Sequence, residues 1–295
     1  GNTSGLKDIY DFSKMVSKHD VIVVRMNYRL GPFGWFTHPA IQNYQYDEDK
    51  SSNFGTLDLI MALKWVNKNI SSFGGDEDNV TIFGESAGGH NVLSLLVSSK
   101  AKGLFHKAIS MSGYTTSIST DDAYKSDPKT STSAYSTHNV TKKIKEKYSK
   151  DIKENDFIKI RDILLKLSAE DFFRFYSERK SYEEIPLLTA DGIVIPEIGL
   201  QAALSKKEYT NIVPTIAGSN RDEVKLWLAT AEYFVNLDSS FISSILRIPR
   251  VQLTDEPSFE AFNYYRSSAW KIRGVDDPLK SLATAGNKNL YAYRY

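Results

Sequence analysis

The stretch that most constrains this chain is Val80-Thr81-Ile82-Phe83-Gly84-Glu85-Ser86-Ala87-Gly88-Gly89-His90, where a β-branched run gives way to small residues and then to a helical pattern. Gly84-Glu85-Ser86-Ala87-Gly88 fits G-x-S-x-G, the nucleophile elbow, in which a strained strand-to-helix turn lifts a serine hydroxyl above a sheet edge. Its glycines read as steric requirements. So tight a turn brings strand and helix backbones together, and a Cβ at Gly84 or Gly88 is expected to collide with the neighbouring element.

The flanking sequence supplies strands and helices in alternation. Over residues 5–18, Leu6, Ile9, Phe12, Met15 and Val16 share one helical face. Val21-Ile22-Val23-Val24 is a continuous apolar run, which predicts a strand buried on both faces in a parallel sheet. Leu59, Leu63, Val66 and Ile70 recur at helical spacing, and Gly74-Gly75 stops that helix before the strand at 80–83. After the elbow, Val92, Leu93, Leu95, Leu96 and Val97 predict a largely buried helix, with strands following near 108–111, 212–218 and 289–293. Between about 114 and 205 the rhythm breaks. A Ser/Thr-rich loop at 115–137 leads into Lys-rich helical sequence at 139–152, then Asp162–Leu167 and Phe172-Phe173, a helical excursion whose charges read as a solvated face.

The 37 Lys+Arg against 36 Asp+Glu leave a net charge of +1, which gives no electrostatic footprint for nucleic acid or an anionic membrane. Cysteine is absent, excluding disulfides and thiolate metal sites and leaving the compartment open. The chain carries no apolar run of membrane-spanning length and no signal-peptide pattern, and it begins with Gly1 instead of Met. No repeat or interdomain linker divides it, so residues 1–295 read as one domain.

Several linked motifs agree in order with a known family. Asn27-Tyr28-Arg29-Leu30-Gly31, Asn53-Phe54-Gly55-Thr56-Leu57-Asp58, Ala62-Leu63-Lys64-Trp65-Val66, Asn69-Ile70 and Phe73-Gly74-Gly75-Asp76 lead to the elbow. Downstream stand Ser112-Gly113, Asp191-Gly192 with Pro196, and Gly218-Ser219-Asn220-Arg221-Asp222-Glu223. Together they resemble the type-B carboxylesterase and cholinesterase family over nearly the whole chain, most weakly across 114–180 and 230–285. The resemblance implies an α/β-hydrolase fold, with a mostly parallel sheet and helices on both faces. It also implies hydrolysis of small-molecule carboxylic esters by a Ser-His-Glu triad without metal or organic cofactor. Ser86 would be the nucleophile, the Ala87 backbone N–H an oxyanion donor, and Glu223 the triad acid, with Asp222 the alternative. Glu85 and Ser112 match positions the family places beside the triad.

Two parts of that pattern are not in these 295 residues. The five histidines, His19, His38, His90, His106 and His138, all precede Glu223, whereas the family's catalytic histidine follows the strand after the acid. The family's glycine-rich oxyanion loop lies before the first helix, where this chain has Gly1-Asn2-Thr3-Ser4-Gly5. The expectation is therefore an incomplete α/β-hydrolase domain, the internal segment of a longer esterase. His90, four residues past Ser86, is a structural histidine on this reading and a surrogate base on the alternative. A catalytically dead binding or adhesion module and a hydrolase of amides or thioesters are the competing functions. The aromatics Phe33, Trp35, Phe36, Trp227 and Tyr233 read as core before they read as pocket lining.

Overall fold

Helix α1 (Phe54–Asn69) buries Leu59, Ile60, Leu63 and Val66, a stripe that pays for its order only when packed on a sheet. It tightens into a 3₁₀ turn (Ile70–Phe73) and stops at Gly74, whose φ of 81° is the left-handed cap that the Gly74-Gly75 pair predicted. In this computed structural model residues 10–125, 137–148, 150–177, 187–238 and 250–295 are described; Leu6 and Ile9 of the expected opening helix lie outside them, as do 126–136 of the Ser/Thr-rich loop. What is described of the opening helix is a single turn, Ser13–Val16.

Strand β1 (Thr81–Glu85) runs through the elbow into α2 (Ala87–Val97), and β2 (Lys107–Met111) follows. A two-residue strand, β3 (Ile118–Ser119), precedes three helices, α3 (His138–Tyr148), α4 (Phe157–Lys166) and α5 (Ala169–Ser177). Then come β4 (Thr189–Ala190), β5 (Thr215–Ser219), the hairpin β6 (Val235–Asp238) and β7 (Arg250–Leu253), α6 (Glu256–Lys271), a π turn (Ile272–Asp276), α7 (Asp277–Thr284) and β8 (Leu290–Arg294). The main sheet has order β1-β2-β5-β8 and is parallel throughout, with Ile82 opposite Ala108, Ala108 opposite Thr215 and Thr215 opposite Leu290.

Alternation puts Ile82, Ala108, Ser110, Thr215 and Ala217 on one face, and all are buried. Against that face α1, α2, the Leu188–Leu204 segment and Leu282 of α7 complete the main core. On the opposite face Phe12, just before the Ser13–Val16 turn, meets Phe83 edge-on with centroids 5.5 Å apart. The helical excursion builds its own cluster, in which Val140, Ile144, Ile160 and Phe175 enclose Phe36 and Ala40, while Lys142 and Lys147 of α3 stay in solvent as expected. No helix among the described residues is long and apolar enough to cross a membrane.

Two expectations need correction. Val21–Val24 joins no strand ladder, and Val21, Ile22 and Val24 are exposed, because β1 pairs on one edge only, with β2, and no described strand lies beside the run to pair with it. An apolar run reports an affinity for burial and does not report whether a pairing edge is there. Phe36 belongs to the excursion's cluster and Trp35 packs on the main core, but Phe33, Trp227 and Tyr233 are exposed, the last two at 66% and 81%.

Candidate active site

Ser86 is the hinge between β1 and α2, with φ 56° and ψ −116°, a conformation a non-glycine residue holds only when its surroundings over-determine it. The surroundings are identifiable. Ser86 N–H donates to the Met111 carbonyl at 2.8 Å, tying the elbow to the end of β2, and the Ser86 carbonyl accepts the His90 N–H at 3.0 Å, closing the first turn of α2. A Cβ on Gly84 would stand 2.5 Å from the carbonyl carbon and oxygen of Gly88, so the first elbow glycine is required as predicted. The expectation for Gly88 fails: a Cβ there meets nothing within 4 Å. The second close approach belongs to Gly89, where a Cβ would lie 2.8 Å from Gly113 Cα and from the Met111 carbonyl oxygen. Gly88 supplies the backbone that Gly84 must clear, and Gly89 lets α2 rest on the chain leaving β2.

As the first residue of α2, Ala87 has a backbone N–H with no intrahelical acceptor, and the same helix geometry leaves the Gly88 and Gly89 donors free at the positive end of an 11-residue helix. These donors cluster where Ser86 turns. The next strand ends at Met111, and Ser112 directly after it also has positive φ, 50°, with its N–H donating to the Gly218 carbonyl at 2.7 Å. Its hydroxyl donates to Glu223 Oε1 at 2.5 Å. Glu223 also accepts the Asn220 N–H at 2.6 Å and the Asn220 side-chain amide at 3.4 Å. Asp222 faces the other way, toward Asn263 at 2.7 Å and Arg221 at 2.8 Å. Ser86, Ser112 and Glu223 thus follow the carboxyl ends of three adjacent parallel strands, the place where open α/β sheets bind ligands. With strands about 4.8 Å apart, β1 and β5 lie roughly 10 Å apart, and the Glu223 side chain reaches back to Ser112 at the end of the strand between them.

Glu85 ends β1 beside the serine. Partial burial, and next the charge of Glu223, hold its carboxyl above the usual range. Tyr293, whose ring covers Gly218, has its phenol raised by burial and then by the same two carboxylates. Glu85, Glu223 and Tyr293 therefore share one electrostatic environment at the strand ends.

His90 is engaged elsewhere. Its ring stacks on Tyr114 at 4.3 Å and Nε2 lies 2.8 Å from the Thr116 carbonyl oxygen, which only accepts, so Nε2 carries the proton. Burial lowers its pKa to about 4. His38 is buried between Thr141 and the Ala40 N–H, His106 accepts from Val80 N–H, His138 sits edge-on to Tyr124, and His19 is exposed in the opening segment. Among the described residues no three His, Asp or Glu side chains come together as a metal site.

Sequence reasoning missed three residues here. Asn263, Ser267 and Trp270 of α6 each donate to or accept from the segments around Glu223 and Ser112, and nothing local marks polar residues on a helix as contacts to a distant loop.

The chain resembles known proteins over most of its length. The model of the carboxylesterase family matches residues 1–268. Para-nitrobenzyl esterase of Bacillus subtilis is 52% identical over 120 residues, 41% of this chain and 24% of that protein. Liver carboxylesterase of Sus scrofa is 32% identical over an alignment of 296 residues covering 95% of this chain and 47% of the relative. A carboxylesterase structure from Geobacillus stearothermophilus superposes with a TM-score of 0.71 at 25% identity, over 99% of this chain and 59% of that one. A para-nitrobenzyl esterase structure gives 0.67 at 26% identity, over 99% and 56%. The chain spans about half the length of the relatives it matches. Its fold is that of the α/β-hydrolase esterases, and with a family match extending from residue 1 to residue 268, the chain belongs to the carboxylesterase family.

Proposed function

We propose that the protein hydrolyses small carboxylic esters through an acyl-enzyme on Ser86. Ser86 Oγ attacks the ester carbonyl as a histidine takes its proton, and the developing oxyanion receives the Ala87 N–H at the start of α2. Collapse releases the alcohol, which takes that proton back from the imidazolium, and water then repeats the sequence on the acyl group. Glu223 orients the imidazole and offsets its charge. With all five histidines engaged or placed elsewhere, the base comes from outside these 295 residues, as does the glycine-rich loop that completes the oxyanion hole.

The observation that carries this reading is the conformation of Ser86. Holding a non-glycine residue at φ 56° and ψ −116° costs on the order of 1–3 kcal/mol, strain of the kind that clusters at active sites. The strain is meaningful for a residue that must present its hydroxyl to a substrate. The relatives' names, para-nitrobenzyl esterase and liver carboxylesterase, support a carboxylic ester as substrate. In the full-length protein, an organophosphonate should label Ser86 alone and a short p-nitrophenyl ester should be turned over. A Ser86→Ala protein that keeps its turnover would overturn the mechanism.

A further inference from the structure

Helix α6 lies in the part of the chain where the family resemblance is weakest, yet it touches the candidate acid's surroundings at three successive positions. Asn263, Ser267 and Trp270 are spaced by four and three residues, so they share one helix face. Asn263 Nδ2 donates to Asp222 Oδ1 at 2.7 Å. Ser267 Oγ accepts the Val224 N–H at 3.3 Å and donates to Asn263 Oδ1 at 3.1 Å. Trp270 Nε1–H donates to the Ser112 carbonyl at 3.1 Å. The residues gripped are the two neighbours of Glu223 in sequence and the residue whose hydroxyl bonds its carboxylate.

The grip is buried and directional. Asn263 and Ser267 are 2% and 1% exposed, and burying polar groups on a helix face is unfavourable unless each finds a partner, so the register of α6 against the Arg221–Val224 turn is fixed by those bonds. After Trp270 the helix widens into the π turn Ile272–Asp276, which sets Gly274 against the Gly113 carbonyl; a Cβ on Gly274 would be 2.2 Å from that oxygen. Trp270 also meets Tyr114 edge-on at 6.2 Å. The peptide after Ser112 is thus held from both sides, with its carbonyl toward Trp270 and its side chain toward Glu223.

We infer that α6 is a splint for the acid: Asn263, Ser267 and Trp270 are positioning residues that hold Glu223 and its donor Ser112 in register with Ser86. This rests on the proposed roles of Ser86 and Glu223. The test is a double-mutant cycle on p-nitrophenyl ester hydrolysis by the full-length protein, with Trp270→Phe, which keeps a ring and removes the donor, Glu223→Gln, and the two combined. Positioning through Glu223 predicts a fall in kcat on the order of tenfold for Trp270→Phe with KM unchanged, and no further fall when it is added to Glu223→Gln. Ser267→Ala, which deletes one oxygen, goes through the same cycle with the same expectation, so a folding failure in one variant leaves the other informative. Equal fold-losses on both backgrounds, or wild-type kcat in the single α6 variants, overturn the splint while leaving the esterase reading intact. Absent turnover in the unaltered protein, or full turnover in Glu223→Gln alone, overturns both.

Discussion

Ser112 donates its hydroxyl to Glu223 Oε1 from a backbone held at φ 50°, so one residue couples the end of β2 to the candidate acid at the end of β5. Hydroxyl and strain separate by substitution. Ser112→Ala and Ser112→Gly both remove the donor, and kcat for ester hydrolysis should fall by the same factor, on the order of tenfold, in each. Glycine alone relieves the positive φ, so Ser112→Gly should unfold about 1 kcal/mol later than Ser112→Ala in a urea titration. Unequal kinetic losses that follow the stability difference would show that the hydroxyl is incidental.

The elbow glycines should behave in opposite ways. A Cβ at Gly84 meets the Gly88 backbone at 2.5 Å, and one at Gly89 meets Gly113 Cα and the Met111 oxygen at 2.8 Å; none of these atoms can swing aside. Gly84→Ala and Gly89→Ala should therefore destabilise by several kcal/mol or fail to fold, about 3 kcal/mol being the scale for overpacking a close contact. Gly88 has open space and lies within α2, so Gly88→Ala should be neutral or stabilising by up to about 1 kcal/mol. Thermal and urea unfolding of the three variants decides it.

These contrasts mark where sequence reading reaches its limit. The Gly84 contact spans four residues across one turn, and the motif itself implies it. The Gly89 contact depends on how β2 ends, and a pentapeptide pattern cannot see that. Leu59, Leu63, Val66 and Ile70 declared a buried helix because helical period and burial are local properties. Val21–Val24 looked like a strand because apolar composition says nothing of a pairing edge. Chain order alone proposes Glu223 as the acid; that its carboxylate meets Ser112 while that of Asp222 meets Asn263 and Arg221 is a matter of tertiary placement. Asn263, Ser267 and Trp270 are illegible: on a helix face they read as solvent-facing side chains until the Arg221–Val224 turn and Ser112 are placed against them.

Glu85 should report on Glu223 by titration. Burial and the neighbouring charge raise its carboxyl pKa in the folded protein, so the proton is bound more tightly there than in the unfolded chain. The stability this contributes is complete below the unfolded carboxyl's value of 4.5 and is lost as pH rises through the folded pKa. Glu85→Gln should accordingly raise the melting temperature at pH 7 and leave it unchanged at pH 4, an effect kept modest by the exposure of Glu85 and shrinking with added salt. Glu223→Gln should lower the Glu85 pKa followed by side-chain carboxyl NMR. An unmoved titration would mean the two carboxylates do not face a common space.

Two histidines should make the fold acid-labile without touching catalysis. His38 accepts the Ala40 N–H on Nδ1 and so presents Nε2–H to Thr141; His90 presents Nε2–H to Thr116 while stacked on Tyr114. Burial lowers their pKa values to about 3 and about 4. Protonating His38 would in addition cost the Ala40 bond, because Nδ1 would cease to accept. A lowered folded-state pKa means the unfolded chain takes up the protons first. Stability is therefore intact above the unfolded value of 6.5 and declines as pH falls from there toward 4 and then 3. Urea midpoints measured between pH 7.5 and 4 should drop with a slope that His90→Gln makes shallower below pH 6.5, His38 supplying what remains. Because His90 is committed to Thr116 and Tyr114, the same variant should turn over p-nitrophenyl esters at a rate within a few-fold of the unaltered protein, a loss far short of the roughly 10⁶-fold expected on removing a triad base. A collapse of that size on His90→Gln would make it the base after all.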